Sequence, residues 1–269
     1  RSGEALGAFA LTEAGAGSDA GAIASHGTES DAGWRLAGSK QWITNGSFAD
    51  TFILFARTEE DVAGARGISA FVLDAAHVTV TREEHKLGLN SSSTVDLVFD
   101  TDVAPDRLLG ERGHGFRVAM ATLDGGRIGI GAQAVGIAQA AFDAACSYAR
   151  ERRAFGKAIG EFQAIQQKLA TMATEIEAAR QLVYRAAWLK ENGRPHTMEG
   201  AQAKLFASEV ARRQTAEAIQ VVGGYGYTKE SPVERYFRDA KVTEIYEVTS
   251  EIQRLVIACA LLGQIGRQS

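Results

Sequence analysis

Apolar positions recur at two different spacings along the chain, and the change falls near residue 110. Before it lie short runs rich in β-branched and aromatic residues, at 8–12, 34–36, 41–44, 51–56, 68–73, 78–81 and 94–99. Runs of that kind predict strands. Asp31-Ala32-Gly33, Asn45-Gly46, Ala63-Gly64 and Asn90-Ser91-Ser92-Ser93 punctuate them, and such residues favour turns by tolerating positive φ or bonding their own backbone. The stretch 25–33 reads as turn-rich. The expectation for residues 1–110 is a β-domain, an antiparallel barrel or sandwich.

After Gly113 the apolar residues fall at helical spacing. Helices are predicted over 116–150, 162–190, 198–222 and 250–265, with a short one opening at Ser231. Asn192-Gly193-Arg194-Pro195 stops the second helix and Gly223-Gly224 the third. Ser231-Pro232-Val233-Glu234 offers an N-cap serine and a proline at the first helical position. Long helices with short connections predict an antiparallel four-helix bundle over 111–269, so the fold class is α+β with two domains. Gly126, Gly129, Gly131 and Gly136 lie inside the first helix, where each costs about 1 kcal/mol relative to alanine. Close approach of another helix or a ligand would offset that cost.

Composition narrows the function classes. The 269 residues carry 45% hydrophobic side chains and three prolines, the balance of a compact globular chain. A net charge of −4 gives no electrostatic case for nucleic acid or an anionic membrane. No apolar run is long enough to cross a bilayer. Cys146 and Cys259 fall in helical patterns and read as buried free thiols, which suits a reducing, cytoplasmic setting. The opening Arg1-Ser2-Gly3-Glu4 reads as a chain entered midway, without a leader. The five histidines are scattered without metal-ligand spacing, and no Ser-His-Asp or Cys-His arrangement can be argued.

The remaining chemistry sits in separated motifs. Glu247 precedes the last helix behind Tyr246. A carboxylate buried there against apolar walls would hold its proton more tightly and become a candidate base, although alone it also reads as a helix-capping acid. The glycine loop 15–19 imitates a dinucleotide fingerprint, but it leads into turns and a strand rather than a helix, so a Rossmann site is rejected. It leaves free N–H groups and the Ser18 hydroxyl for a polar ligand. Trp42 beside Thr44 reads locally as a core aromatic, or else as a flat wall for a heterocycle. Asp124 and Arg127 stand one helical turn apart with two glycines between them, which reads as a surface ion pair or as a ligand-facing one. Arg150, Arg152 and Arg153 complement a helix C-terminus or hold a phosphate.

Their order is more specific than any one of them. The segments 9–19 (FALTEAGAGSD), 42–45 (WITN), 123–127 (LDGGR), 152–156 (RRAFG), 220–224 (QVVGG) and 246–254 (YEVTSEIQR) closely resemble the acyl-CoA dehydrogenase family across essentially the whole chain. That family has an N-terminal helical domain, a middle β-domain and a C-terminal four-helix bundle, and this chain resembles the last two. The resemblance implies FAD between the two domains. Phe9, Leu11 and Thr12 with Trp42, Ile43 and Thr44 would hold its ring system. Arg152 and Phe155 would reach the FAD of a neighbouring subunit, with Gln220, Gly223 and Gly224 on that side, and Thr249 and Glu251 near the cofactor. Ser18, Asp124, Arg127 and Val248 would meet the acyl-CoA, and Glu247 would be the catalytic base. The implied reaction removes a proton from the α-carbon and a hydride from the β-carbon to flavin N5, giving a trans-2-enoyl-CoA. Electron-transfer flavoprotein would take the electrons, and the assembly would be a homotetramer, a dimer of dimers.

Two departures from the family pattern carry consequences. Val248 stands where glycine usually follows the base, and a β-branched residue resists positive φ there. The N-terminal helical domain has no counterpart in this sequence. A truncated, non-catalytic binding module and a related acyl-CoA oxidase therefore stay open as alternatives.

Overall fold

The computed structural model describes residues 3–59, 61–62 and 64–263, and the chain divides into two compact units, 1–122 and 123–269. Arg1, Ser2, Ala63 and the expected helix end at Ile265 lie outside the described residues.

The first unit is a seven-stranded sheet of β1 (Gly7–Ala10), β2 (His26–Ser30), β3 (Gly33–Thr44), β4 (Thr51–Arg57), β5 (Ile68–Asp74), β6 (Thr79–Glu83) and β7 (Thr94–Val103). Long antiparallel ladders join β3 to β7 and β4 to β5. The sheet is mixed rather than wholly antiparallel, because β1 runs parallel to β4 from Gly7 opposite Thr51 to Ala10 opposite Leu54. Inward side chains of the strands, among them Leu36, Phe52, Leu54, Phe71, Leu73 and Leu97, form one core.

Two strand expectations change. The stretch 25–33 contains β2, whose sequence HGTES buries only Gly27 and so lacks a strand's apolar alternation. Residues 34–36 and 41–44 belong to a single strand, β3, with a bulge between Lys40 and Ile43. Lys40, a charged residue in mid-strand, is fully buried, donating to Glu13 Oε1 at 2.7 Å and to the Leu11 carbonyl at 3.1 Å. Glu13 also accepts from the Ala24 and Ser25 N–H groups. This charged knot fixes the loop that follows β1.

A long helix, α1 (Gly115–Glu151), begins in the first unit: its Gly115 is pressed against Ser69 and Ala70 of β5, where a Cβ would collide with backbone. The second unit continues α1 and adds β8 (Arg153–Ala154), β9 (Lys157–Ala158), α2 (Gln163–Glu191), α3 (Thr197–Val222), α4 (Pro232–Val242) and α5 (Ser250–Leu262). The basic run 150–157 lies at the end of α1 as expected, with Arg150 in its last turn, and residues 153–158 form a hairpin whose turn, Phe155-Gly156, has both φ positive. Small side chains pack the helices closely, with Ala134 and Ala138 of α1, Ala179 and Ala186 of α2 and Ala203 and Ala207 of α3 all fully buried. Pro232 opens α4 as expected, but the Ser231 hydroxyl makes no cap bond, and Glu234 instead pairs with Arg238 at 2.7 Å. The two cysteines are free as expected; Cys146 is half-buried and Cys259 exposed, so neither is fully buried as the sequence suggested.

Candidate active site

The segment between α4 and α5 carries two consecutive residues in the left-handed region, Glu247 (φ +50°) and Val248 (φ +73°). Both are non-glycine and the second is β-branched, a backbone state that costs on the order of 1–3 kcal/mol and needs outside support. Support comes from two buried side chains. Gln253 Nε2, in the first turns of α5, donates to the Val248 carbonyl at 2.9 Å and to the Glu247 carbonyl at 3.3 Å. Lys204 Nζ, from α3, donates to the Val248 carbonyl as well. Thr249 is the N-cap residue of α5.

This turn delivers the Glu247 carboxylate to α1 at Gly126. A Cβ at position 126 would lie 2.8 Å from Glu247 Cδ and closer still to Oε2. The missing side chain is the space the carboxylate uses. Gly131 has a comparable role within the bundle, where a Cβ would come to 3.0 Å from Val183. Gly129 and Gly136 face no described atom within 4 Å, so close approach accounts for two of the four helix glycines.

Charges around the carboxylate oppose one another. Burial raises the Glu247 pKa above its ordinary value, and the cations of Lys204 and Arg127 pull it back down. Arg127 is itself buried rather than part of a surface pair, and its Nη1 donates to Asp124 Oδ1 at 2.5 Å. Its Nε is buried without a partner among the described residues. The second Asp124 oxygen accepts from Thr197 Oγ1 at 2.8 Å. Tyr246 donates from its hydroxyl to Gln133, and burial pushes its pKa up to about 12. A half-buried carboxylate, two cations and a held second carboxylate thus converge on one side of α1.

A second feature of this unit is a cleft of about 580 Å³ lined by Tyr148, Arg152, Val221, Gly223, Gly224 and Tyr225. Gly223 ends α3 at φ +69°, and the Arg152 guanidinium stacks 5.9 Å from the Tyr225 ring. Phe155, at the hairpin turn, is 95% exposed, and Gln220 is exposed as well.

The sheet unit holds the remaining expected residues. Leu11 and Ile43 are buried in its core, leaving only their backbone groups for a ligand. Phe9 packs against Phe55 at 5.1 Å between ring centres. Trp42 was locally expected in the core, but the bulge puts it at φ +62° and leaves it 53% exposed. Thr44 and Ser18 are exposed and Thr12 half-buried, with the Thr12 carbonyl held by the Gln41 N–H at 2.9 Å. Glu251 is exposed and Thr249 half-buried.

Sequence reasoning missed Lys204, Gln253 and Thr197. A lysine in an amphipathic helix ordinarily reads as a solvent-facing residue, and the one available signal was its position among AQAKLFA, where every neighbour except Gln202 is small or apolar. Among the described residues there is no group of three or more His, Cys, Asp or Glu able to hold a metal. Nor is any helix of the described residues long and apolar enough to cross a membrane.

Comparison with known proteins bears on this arrangement. Residues 8–101 match the acyl-CoA dehydrogenase middle domain, and residues 113–262 match the acyl-CoA dehydrogenase C-terminal domain. The chain is 52% identical over 264 residues to the mitochondrial short-chain specific acyl-CoA dehydrogenase of Bos taurus, covering 97% of this chain and 64% of that protein. It superposes on butyryl-CoA dehydrogenase from Megasphaera elsdenii with a TM-score of 0.94 and 50% identity, covering 96% of this chain and 68% of that one. A chain in the structure described as electron transferring flavoprotein of Acidaminococcus fermentans matches with a TM-score of 0.95 and 49% identity, covering 96% and 69%. The chain thus spans about two thirds of the length of the relatives it matches.

Proposed function

The chain belongs to the acyl-CoA dehydrogenase family, and from that premise we propose that it dehydrogenates a short-chain acyl-CoA thioester at its α,β bond, with Glu247 as the base. The observation that carries this reading is the Glu247 carboxylate, half-buried on a left-handed turn and seated against a helix position that has no side chain.

The α-proton of a thioester is far less acidic than a carboxylic acid, and each pKa unit of mismatch costs about 1.4 kcal/mol. Burial of Glu247 narrows that gap by raising its pKa, while Lys204 and Arg127 keep enough of it ionised to accept a proton. The α-carbanion delocalises onto the thioester oxygen, which needs a fixed donor. The Glu247 N–H has no acceptor among the described residues and is the donor we assign. Asp124 and Arg127, locked to each other and to Thr197, would meet the acyl-CoA from α1, with Val248 beside the base and Ser18 contributing a hydroxyl.

FAD, when bound, supplies the acceptor for the β-hydride. The residues present fit it. The cleft beside Arg152, Gly223 and Gly224 combines a cation, an aromatic face and glycine backbone, the chemistry that the phosphates and base of a neighbouring subunit's FAD would require. Phe155 and Gln220 would contribute on that same side, and Thr249 and Glu251, at the start of α5, would approach the cofactor. In the sheet unit, exposed Trp42 offers a flat wall, and with Phe9 and the backbone of Leu11, Thr12, Ile43 and Thr44 it would hold the ring system of this chain's own FAD.

The reading extends to partners. Electron-transfer flavoprotein is proposed as the electron acceptor, and a dimer of dimers as the assembly. Exposed Tyr184, Trp188, Leu255, Leu261 and Leu262 support association. The free cysteines support a reducing, cytoplasmic setting, in which the enzyme would serve β-oxidation of fatty acids.

The test is anaerobic mixing of the FAD-loaded protein with butyryl-CoA. Loss of the yellow absorbance together with trans-2-butenoyl-CoA supports the proposal. Full flavin occupancy with no bleaching by any acyl-CoA contradicts it, and stoichiometric peroxide on admitting oxygen would reassign the protein as an oxidase.

A further inference from the structure

Among the described residues two lysines are fully buried, and their surroundings differ. Lys40 meets the carboxylate of Glu13 at 2.7 Å, so its charge is directly neutralised. Lys204 has no carboxylate within 4 Å among the described residues, and its bonded partner is a neutral carbonyl, that of Val248. A buried cation without a contacting anion is expensive to keep. Folding alone would favour methionine or leucine at that point of α3, between Ala203 and Leu205.

We infer that Lys204 is a positioning residue for the proposed base: its ammonium anchors the turn that carries Glu247 and keeps that carboxylate ionised in an otherwise desolvating site. The inference rests on Glu247 being the base, as proposed above. The anchoring follows from the bond to Val248, the residue after the base, in a turn whose two positive-φ residues need external hold. Gln253 shares that carbonyl but contributes no charge.

The ionising role follows from which charges face Glu247. From α1 come Arg127, whose guanidinium is already bonded to Asp124, and Asp124 itself. From α3 comes Lys204. Beyond α4, Glu244 is occupied by Arg212 at 2.8 Å and Lys241 at 2.6 Å, and Glu251 on α5 is exposed. The Tyr246 hydroxyl also acts on Glu247, and Asp239 of α4 acts on that hydroxyl. Lys204 is therefore the cation of this set not bonded to another side chain. Its own pKa is lowered to about 8, by burial first, against the pull of Glu247.

The test is a pH titration of the Glu247 carboxyl by ¹³C NMR in glutamate-labelled, flavin-loaded protein, the resonance being assigned by its loss in Glu247→Gln. In Lys204→Met the midpoint rises by at least about one pH unit, and the acid limb of anaerobic bleaching moves with it. In Gln253→Leu, which removes a neutral donor from the same carbonyl, the midpoint stays where it is in the wild type. Equal shifts in the two variants, or none in Lys204→Met, would overturn the inference. Should Lys204→Met fail to fold, the wild type still decides. Its Glu247 resonance must show a second step near pH 8 as Lys204 loses its proton, and a single-step curve overturns the coupling. The titration requires no turnover, so a protein that dehydrogenates nothing would sink the proposed function without touching this result.

Discussion

The carboxylate of Glu247 fills the space that a side chain at Gly126 would occupy. Two residues 121 positions apart, by subtraction of their numbers, are thus tied by the absence of one atom. Gly126→Ala should leave the helix as stable or more so, since alanine gains about 1 kcal/mol over glycine in a helix interior. It should also push the base out of place, and a misplacement of about 1 Å can cost roughly 100-fold in rate. Stopped-flow bleaching and thermal melting together check this. An alanine variant with wild-type turnover would mean that the carboxylate works from another position.

Val248 holds φ +73° with a branched side chain. Val248→Gly should relieve strain of about 1–3 kcal/mol, less about 0.5–1 kcal/mol for glycine's greater unfolded-state freedom. The expected net gain is on the order of 1 kcal/mol, read as a higher melting temperature. Activity on short straight-chain acyl-CoAs should rise as bulk beside the base disappears. A melting temperature that falls would show that the valine packs better than its backbone suggests.

Burial sets the pH behaviour of Glu247. Its folded pKa lies above the ordinary 4.5, so between those two values the native state holds a proton that the unfolded chain has released. The stability contribution of this group is therefore complete below about pH 4.5 and is lost as pH rises through the folded value. Activity runs the opposite way, since the base works only when ionised. The acid limb of bleaching against pH should sit above the usual carboxylate range, and Glu247→Gln should flatten that part of the stability profile. A limb at the ordinary carboxylate pKa would contradict the burial described here.

Lys40 and Glu13 form the buried pair that secures the loop after β1. Lys40→Met would strand the Glu13 carboxylate, and breaking a buried pair on one side costs about 3–5 kcal/mol. Adding Glu13→Gln keeps an acceptor for the Ala24 and Ser25 N–H groups while removing the stranded charge, so the double variant should recover much of the loss. Urea midpoints at constant m-value report this; a double variant no more stable than the single one would assign the cost to packing instead.

How much of this was legible in the sequence depended on whether the relevant signal was local. The helices were, because Asn192-Gly193 and Gly223 stop them by backbone chemistry and Pro232 starts one. Strand β2 was not: its polar HGTES side chains give no alternation, and it exists because β3 pairs along it. The parallel pairing of β1 with β4 depends on residues more than 40 apart, which no local pattern encodes. The motifs drew attention to Glu247, Asp124 and Arg127, and the structure brings the Glu247 turn against α1, which carries the other two. Lys204 escaped because its role comes from the turn its helix packs against, and its composition is that of any exposed lysine.

If Glu247 takes the α-proton, removing its carboxylate must stop flavin reduction while leaving the binding of acyl-CoA in place. Wild-type and Glu247→Gln proteins, each loaded with FAD to the same occupancy, are mixed anaerobically with butyryl-CoA and followed at the flavin's visible maximum. Rapid bleaching is expected in the wild type and, in the glutamine variant, a spectrum that registers binding but stays yellow at least about 100-fold longer, since a base contributes roughly 10²–10⁴-fold. Bleaching of the variant at the wild-type rate would contradict that role for Glu247.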